Sequence, residues 1–199
     1  MNRPHWHYFL LLEDELVGIS RFIEFSEDNY KVYSIEFVKL FLSICSEVDV
    51  VAKLLCKEAD SPLFDKTKGS HDPNMDTYRC VINSKFPGFH KAHVEIPFYN
   101  LSFVPWDNFK VNSSPSWWSE YNGVKHERNI NFKKATLGNV LFSMSGLMVL
   151  LVYFHGHQSV ISLDPPNKPK LYEIESAYYR TQGIAWESSQ LYVPKNLIK

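Results

Sequence analysis

The sequence predicts a mainly α-helical protein: a four- or five-helix bundle followed by a small irregular or β C-terminal appendage. Three observations carry this. Apolar residues recur every three to four positions across two long stretches, 6–25 and 34–57. The run from Leu137 to Phe154 is the most apolar part of the chain and carries no charge. After Gly156 the pattern changes to prolines and short strand-like segments. The 199 residues therefore divide into a bundle over 1–157 and an appendage over 158–199.

The first helix is read over 6–25, where Phe9, Leu12, Leu16, Ile19, Phe22 and Ile23 share a face. A polar connector, 26–33, leads to Ser34, which caps a second helix reaching about Lys57. Its stripe is Phe37, Leu40, Phe41, Ile44, Val48, Val51, Leu54 and Leu55, and a helix apolar along one face needs partners. Residues 58–71 read as a loop. Asp72-Pro73 then opens a third helix, with Tyr78, Val81, Ile82 and Phe86 inward, closed by Pro87-Gly88.

Residues 89–113 are broken by proline and rich in aromatics, which reads as an extended segment wrapped over the bundle rather than a central strand. Ser114 and Pro115 start a further helix reaching Asn129, followed by the most apolar helix, 132–155, which could run on from it. In the appendage, Pro165-Pro166 and Pro169 mark turns, and LYEIES and SQLYVP read as strands that could pair as a hairpin.

Several function classes have no support. The net charge of −1 supplies no global field for nucleic acid, so RNA contact has to come from a local patch, and there is no DNA signal. Leu137–Phe154 contains Asn139, Ser143 and Ser145 and falls short of the ~20 apolar residues of a membrane span, so it reads as a core helix; a membrane anchor over 137–154 is the weaker alternative. Cys45 and Cys56 lie on one helix about 16 Å apart, too far for a bridge, which fits reduced thiols in a cytoplasmic protein. The pairs His5/His7, His90/His93 and His155/His157 lack the acidic or cysteine partners of a metal site, so no metal and no cofactor is expected. No Walker A loop, dinucleotide fingerprint or nucleophile elbow is present.

The chemistry concentrates in Trp117-Trp118-Ser-Glu-Tyr121-Asn122-Gly-Val-Lys125-His126-Glu-Arg128-Asn129. At about 100° per residue, Trp118, Asn122, Lys125, His126 and Asn129 share one helix face, with Tyr121 and Arg128 beside it. An imidazole one turn beyond an amide, with cations alongside, suits a phosphate-bearing ligand. Glu47 and Asp49, two apart on the second helix, face different ways, so they read as support through ion pairs with Lys53 or the motif cations. Each position also has a purely structural reading: a hydrogen-bonded His126, a solvated Lys125 and Arg128, a packed Tyr121.

The spacing Asn122-x-x-x-His126 resembles the hallmark of HEPN-type domains, helical bundles that are often dimeric. Their motif is Arg, a polar residue, three residues, then His, on a late helix before an apolar one. Here Tyr121 stands where that Arg would be. The chain also looks like a group of bacterial proteins that share Tyr33-Ser34-Ile35-Glu36-Phe37, Ser46-Glu47-Val48-Asp49 and Lys53, and later Trp117-Trp118, Tyr121-Asn122, Lys125-His126 and Arg128; the likeness covers about residues 10–155.

The resemblance implies an RNA-directed protein: a metal-independent endoribonuclease of a bacterial defence or toxin–antitoxin type, or a non-catalytic module that dimerises or binds a partner. In the first case His126 is the acid or base, Asn122 orients it, and Lys125, Arg128, Tyr121, Asn129 and Trp118 contact RNA. The expected partners are RNA, a second copy of the chain, and a cognate antitoxin or defence protein.

Overall fold

The computed structural model describes residues 3–158, 161–162, 168–174, 179–182 and 189–192. Among them the protein is mainly helical: α1 (Pro4–Ile19), α2 (Ile35–Lys68), α3 (Met75–Lys85), α4 (Ser116–His126), the single turn α5 (Arg128–Asn131) and α6 (Leu137–Gln158). Six short strands accompany them: β1 (Val94–Ile96), β2 (Leu101–Phe103), β3 (Ile161–Ser162), β4 (Glu173–Ile174), β5 (Tyr179–Gln182) and β6 (Ser189–Tyr192).

α6 is the centre. Val140, Leu141, Met144 and every residue from Leu147 to Tyr153 have no measurable exposure, so this helix is enclosed on all sides. It packs chiefly along α2, with α1 and α4 on its flanks. The stretch Leu137–Gly156 is the one described helix long and apolar enough to cross a membrane, and 89% of it is buried inside the fold, where it works as the core.

The start of α6 is set by its neighbours. Thr136 Oγ1 accepts from the Asn139 N–H at 3.2 Å, and the Leu137 and Gly138 N–H groups donate to the carbonyls of Val32 and Tyr30 at 2.8 and 3.1 Å. Those bonds satisfy the helix-end donors that would otherwise lie open, and they separate α6 from α4, so the two are not continuous.

α2 runs further than its sequence suggests. The segment 58–71, read as a loop, is helical to Lys68. Asp60 breaks the helix with φ −162° and ψ 84°, and its carboxylate accepts from the Leu63 N–H at 2.8 Å. Asp60 thus caps a fresh helical segment whose first turn holds Pro62, a position where proline costs nothing. Its other oxygen lies 2.7 Å from Lys85 Nζ, which ties the break to α3. α3 is capped by Asn74 rather than Asp72: the Asn74 side chain accepts from the Thr77 N–H at 3.0 Å, and the Thr77 hydroxyl accepts in return from the Asn74 N–H at 3.4 Å.

The wrap-over segment holds a hairpin. β1 pairs antiparallel with β2 on one side and with β4 on the other, so β1 is the middle strand of three, contrary to the reading of this segment as extended chain rather than a central strand. Pro97 escapes the usual exclusion because it sits in the turn between β1 and β2. Among the described residues LYEIES and SQLYVP do not pair with each other: Glu173–Ile174 joins β1, whereas Ser189–Tyr192 joins β3 and β5 in a second sheet. The Pro165-Pro166 turn lies outside the described residues.

Glu13 fastens β4's approach to the bundle. Its carboxylate, 1% exposed, accepts the backbone N–H groups of Lys170 and Leu171 at 2.8 Å each and of Tyr172 at 3.1 Å. Burial raises the Glu13 carboxyl above its ordinary 4.5, against the opposing pull of the three donors. A raised folded-state value means that its protonated form favours folding. The contribution of Glu13 is therefore full below pH 4.5 and is lost as pH rises through the shifted value. The stability difference between the native chain and Glu13→Gln should accordingly shrink with rising pH above 4.5, read from urea melts at several pH values; a difference that grows with pH would contradict it.

Gly146 offers a second test. A Cβ there would lie 3.0 Å from Trp117 Cζ2, and that indole is fixed by its bond to the Pro105 carbonyl at 3.0 Å. Alanine gains about 1 kcal/mol of helix propensity, while overpacking against a ring that cannot move costs about 1–3 kcal/mol. Gly146→Ala should lower the folding free energy, measured by denaturant melts; a stabilised variant would mean that the Trp117 ring gives way.

Candidate functional site: a polar cleft between three helices

α4 presents part of the expected face and withholds the rest. Pro115, not Ser114, occupies the cap position, and no side chain caps the helix; Ser116 is its first residue. Trp118, Asn122 and Lys125 then follow at helical spacing and line one cleft with Tyr121. The cleft has a volume of about 280 Å³ and is completed by Ser46 and Asp49 of α2 and by Pro73, Asn74 and Met75 at the start of α3.

His126 ends α4 and stands exposed outside this cleft. Glu127 follows with φ −135° and ψ 57°, which breaks the helix. The break is held from below: Asn131 Nδ2 donates to the Gly123 carbonyl at 3.1 Å, beside the Glu127 N–H bond to the same oxygen at 3.0 Å. Arg128 and Asn129 therefore sit on α5, a separate turn, and do not share the face of Asn122. Both are exposed, and neither lines the cleft.

Tyr121, at the position of the HEPN arginine, is a packed side chain only 4% exposed. Its ring meets Trp118 at 4.9 Å and Phe41 edge-on at 6.1 Å. Lys125 Nζ lies 5.6 Å from its centroid, a cation–π contact. Burial, with the nearby Cys45 thiol and Asp49 carboxylate adding, pushes its phenol up to about 12. It stays neutral at physiological pH and supplies no charge to a transition state.

The two acidic residues of α2 part company. Glu47 turns towards α1, where its Oε1 lies 2.5 Å from His5 Nδ1, and it takes no part in the cleft. Asp49 does: its Oδ1 accepts the Tyr78 hydroxyl at 2.9 Å. Burial, with the Asp49 carboxylate adding, pushes the Tyr78 phenol up. Neither carboxylate pairs with Lys53 or with the cations of α4. The sequence also concealed Ser46 and the start of α3; the Asn74-x-x-Thr77 capping signature was the one available signal that α3 begins at the cleft.

Chemically the cleft is a set of unspent hydrogen-bonding groups beside the largely buried rings of Trp118 and Tyr121. Among the described residues, the Ser46 hydroxyl, Asp49 Oδ2, the Asn122 amide and Lys125 Nζ make no hydrogen bond within the chain. Lys125 at its rim and Arg128 and Lys133 beyond it are exposed and none pairs with a described carboxylate, whereas Lys134 pairs with Glu120 at 3.0 Å. No described group of three His, Cys, Asp or Glu has metal-holding geometry; the His157 side chain lies outside the described residues.

Tyr121→Arg should not restore a phosphate clamp. It would place a cation among Phe41 and Trp118 at a 4% exposed position, at a cost of about 2 kcal/mol or more. Denaturant melts should show that loss; a variant as stable as the native chain would mean that the position opens to solvent. Compared with family models, curated proteins and solved structures, the chain gives no match.

Proposed function

We propose that the protein is a non-catalytic, HEPN-like, RNA-directed module that holds a segment of single-stranded RNA at the cleft between α2, α3 and α4. The observation that carries this reading is the division of the motif. Asn122 and Lys125 line the cleft with Trp118 and Tyr121, while His126 and Arg128 remain outside it.

A nuclease of this kind needs its acid or base and a cation at the same phosphate. Here the arginine position holds a neutral, packed phenol, and the lining cation, Lys125, is in the cleft while His126 is outside it. Binding asks for less. Unpaired amide, carboxylate and hydroxyl groups and a lysine at the rim suit the polar edge of a base, and the exposed Arg128 and Lys133 suit the backbone that leads away. With a net charge of −1 overall, such a patch gives moderate, salt-sensitive binding. The same reading carries a homodimer, an antitoxin or defence protein as partner, and a cytoplasmic setting in which Cys45 and Cys56 stay reduced.

The test is anisotropy of labelled mixed-sequence single-stranded RNA in EDTA, with electrophoresis of the same samples. The native chain should bind without cutting. Lys125→Ala together with Asn122→Ala should weaken binding about tenfold or more, and His126→Ala should leave it unchanged. Metal-independent cleavage abolished in His126→Ala would replace this reading with the endoribonuclease; absence of RNA binding at low salt would remove RNA as the ligand.

A further inference from the structure

We infer that the cleft reads one unpaired guanine, with Asp49 as the recognising group; this rests on the RNA-binding reading above. The argument begins with what a carboxylate does in such a place. Asp49 is half-buried in the cleft wall, and a phosphate lodged against it would be repelled. The ligand part that enters must therefore bring donors, and the phosphates must stay at the rim with Lys125.

Among the four RNA bases, guanine alone presents two adjacent donors, N1–H and the N2 amino group, on its Watson–Crick edge. Adenine and cytosine offer a single amino group there, and uracil a single imide N–H. A carboxylate matches the guanine edge with two parallel hydrogen bonds.

Asp49 is prepared for that role. Tyr78 donates its hydroxyl to Oδ1 at 2.9 Å, which fixes the carboxylate on its helix without exhausting it. Oδ1 keeps a lone pair, and Oδ2 has no partner among the described residues. Asn122 adds an amide whose N–H₂ is free to donate to the guanine O6 acceptor, and Ser46 adds a hydroxyl three residues before Asp49 on α2. The volume of about 280 Å³ admits one base and its immediate surroundings rather than a stacked run. Trp118 and Tyr121, 8% and 4% exposed, close the cleft behind these groups.

The experiment compares heptanucleotides carrying one guanine, inosine, adenine or cytosine at the centre of an otherwise uridine strand, a layout that avoids guanine quadruplexes. Binding to the native chain is read by anisotropy, with tryptophan quenching as a second signal. The guanine strand should bind about tenfold tighter than the adenine strand. Inosine, which keeps N1–H but lacks the amino group, should fall between them. In Asp49→Asn, whose amide retains an acceptor for Tyr78 but sets its own N–H₂ against the guanine amino group, the preference should collapse towards unity.

Equal binding of all four strands, or preference for another base, overturns the inference while the RNA-binding reading stands. Guanine preference undiminished in Asp49→Asn overturns the assignment to Asp49. Failure of every strand to bind removes the RNA reading and the inference together. The inosine comparison needs no variant, so it decides the question even if Asp49→Asn folds poorly.

Discussion

Everything in this protein is arranged around the burial of α6. A helix apolar on every side cannot rest on a surface; it has to be enclosed, and enclosure fixes where its neighbours lie. α2 supplies the long wall, α1 and α4 the flanks, and the aromatic segment with β1 and β2 closes what remains. The indoles of Trp106 and Trp117 show how this is done without leaving polar atoms unmet: each packs against the region of Gly146 and donates its N–H to a carbonyl, Gly146 at 3.1 Å and Pro105 at 3.0 Å.

The cleft follows from that arrangement rather than from the motif alone. α4 must bury Trp117 and Val124 towards α6, and this choice of inward face turns Trp118, Asn122 and Lys125 towards α2 and the start of α3. Asp49 and Ser46 meet them because α2 buries Val48 and Cys45 and so turns these two outward on the same side. Apart from the bond between Tyr78 of α3 and Asp49 of α2, the helices make no side-chain bond to one another at this point, so Asp49 Oδ2, Ser46, Asn122 and Lys125 keep their hydrogen-bonding capacity. Unspent donors and acceptors beside aromatic rings are what a ligand can use.

Among the described residues, the C-terminal part of the chain is joined to the bundle by the buried Glu13 carboxylate, an ion pair between Lys170 and Asp14 at 2.6 Å and the pairing of β4 with β1. Glu13 gathers three backbone donors and brings Tyr172 to rest against Phe9, with ring centroids 6.2 Å apart; β4 then extends the β1–β2 hairpin. A wheel diagram of α1 would place Glu13 beside Leu12 and Leu16 with no evident partner, because its partners lie about 157 residues away. Long-range satisfaction of this kind leaves no local trace.

What the sequence determined by itself was the set of local preferences: helical periodicity in α1, α2 and α3, the Ser34 cap, whose hydroxyl accepts from the Phe37 N–H at 3.1 Å, and the core character of 137–154. These depend on residues within one or two turns, so they can be read in order along the chain. Tertiary structure decided the rest. Asp60 became a cap instead of a loop residue because Lys85 and α3 hold it; β1 became a central strand because β4 arrives from 79 positions further on. Most of all, the motif was divided at Glu127, whose φ of −135° and ψ of 57° end α4 at His126, with the Asn131 amide bonded to the Gly123 carbonyl across the turn. Periodicity continues a helix until something stops it, and here the stop is a backbone break that the next segment packs against, so the face that looked like one site on paper is a cleft and a separate exposed turn.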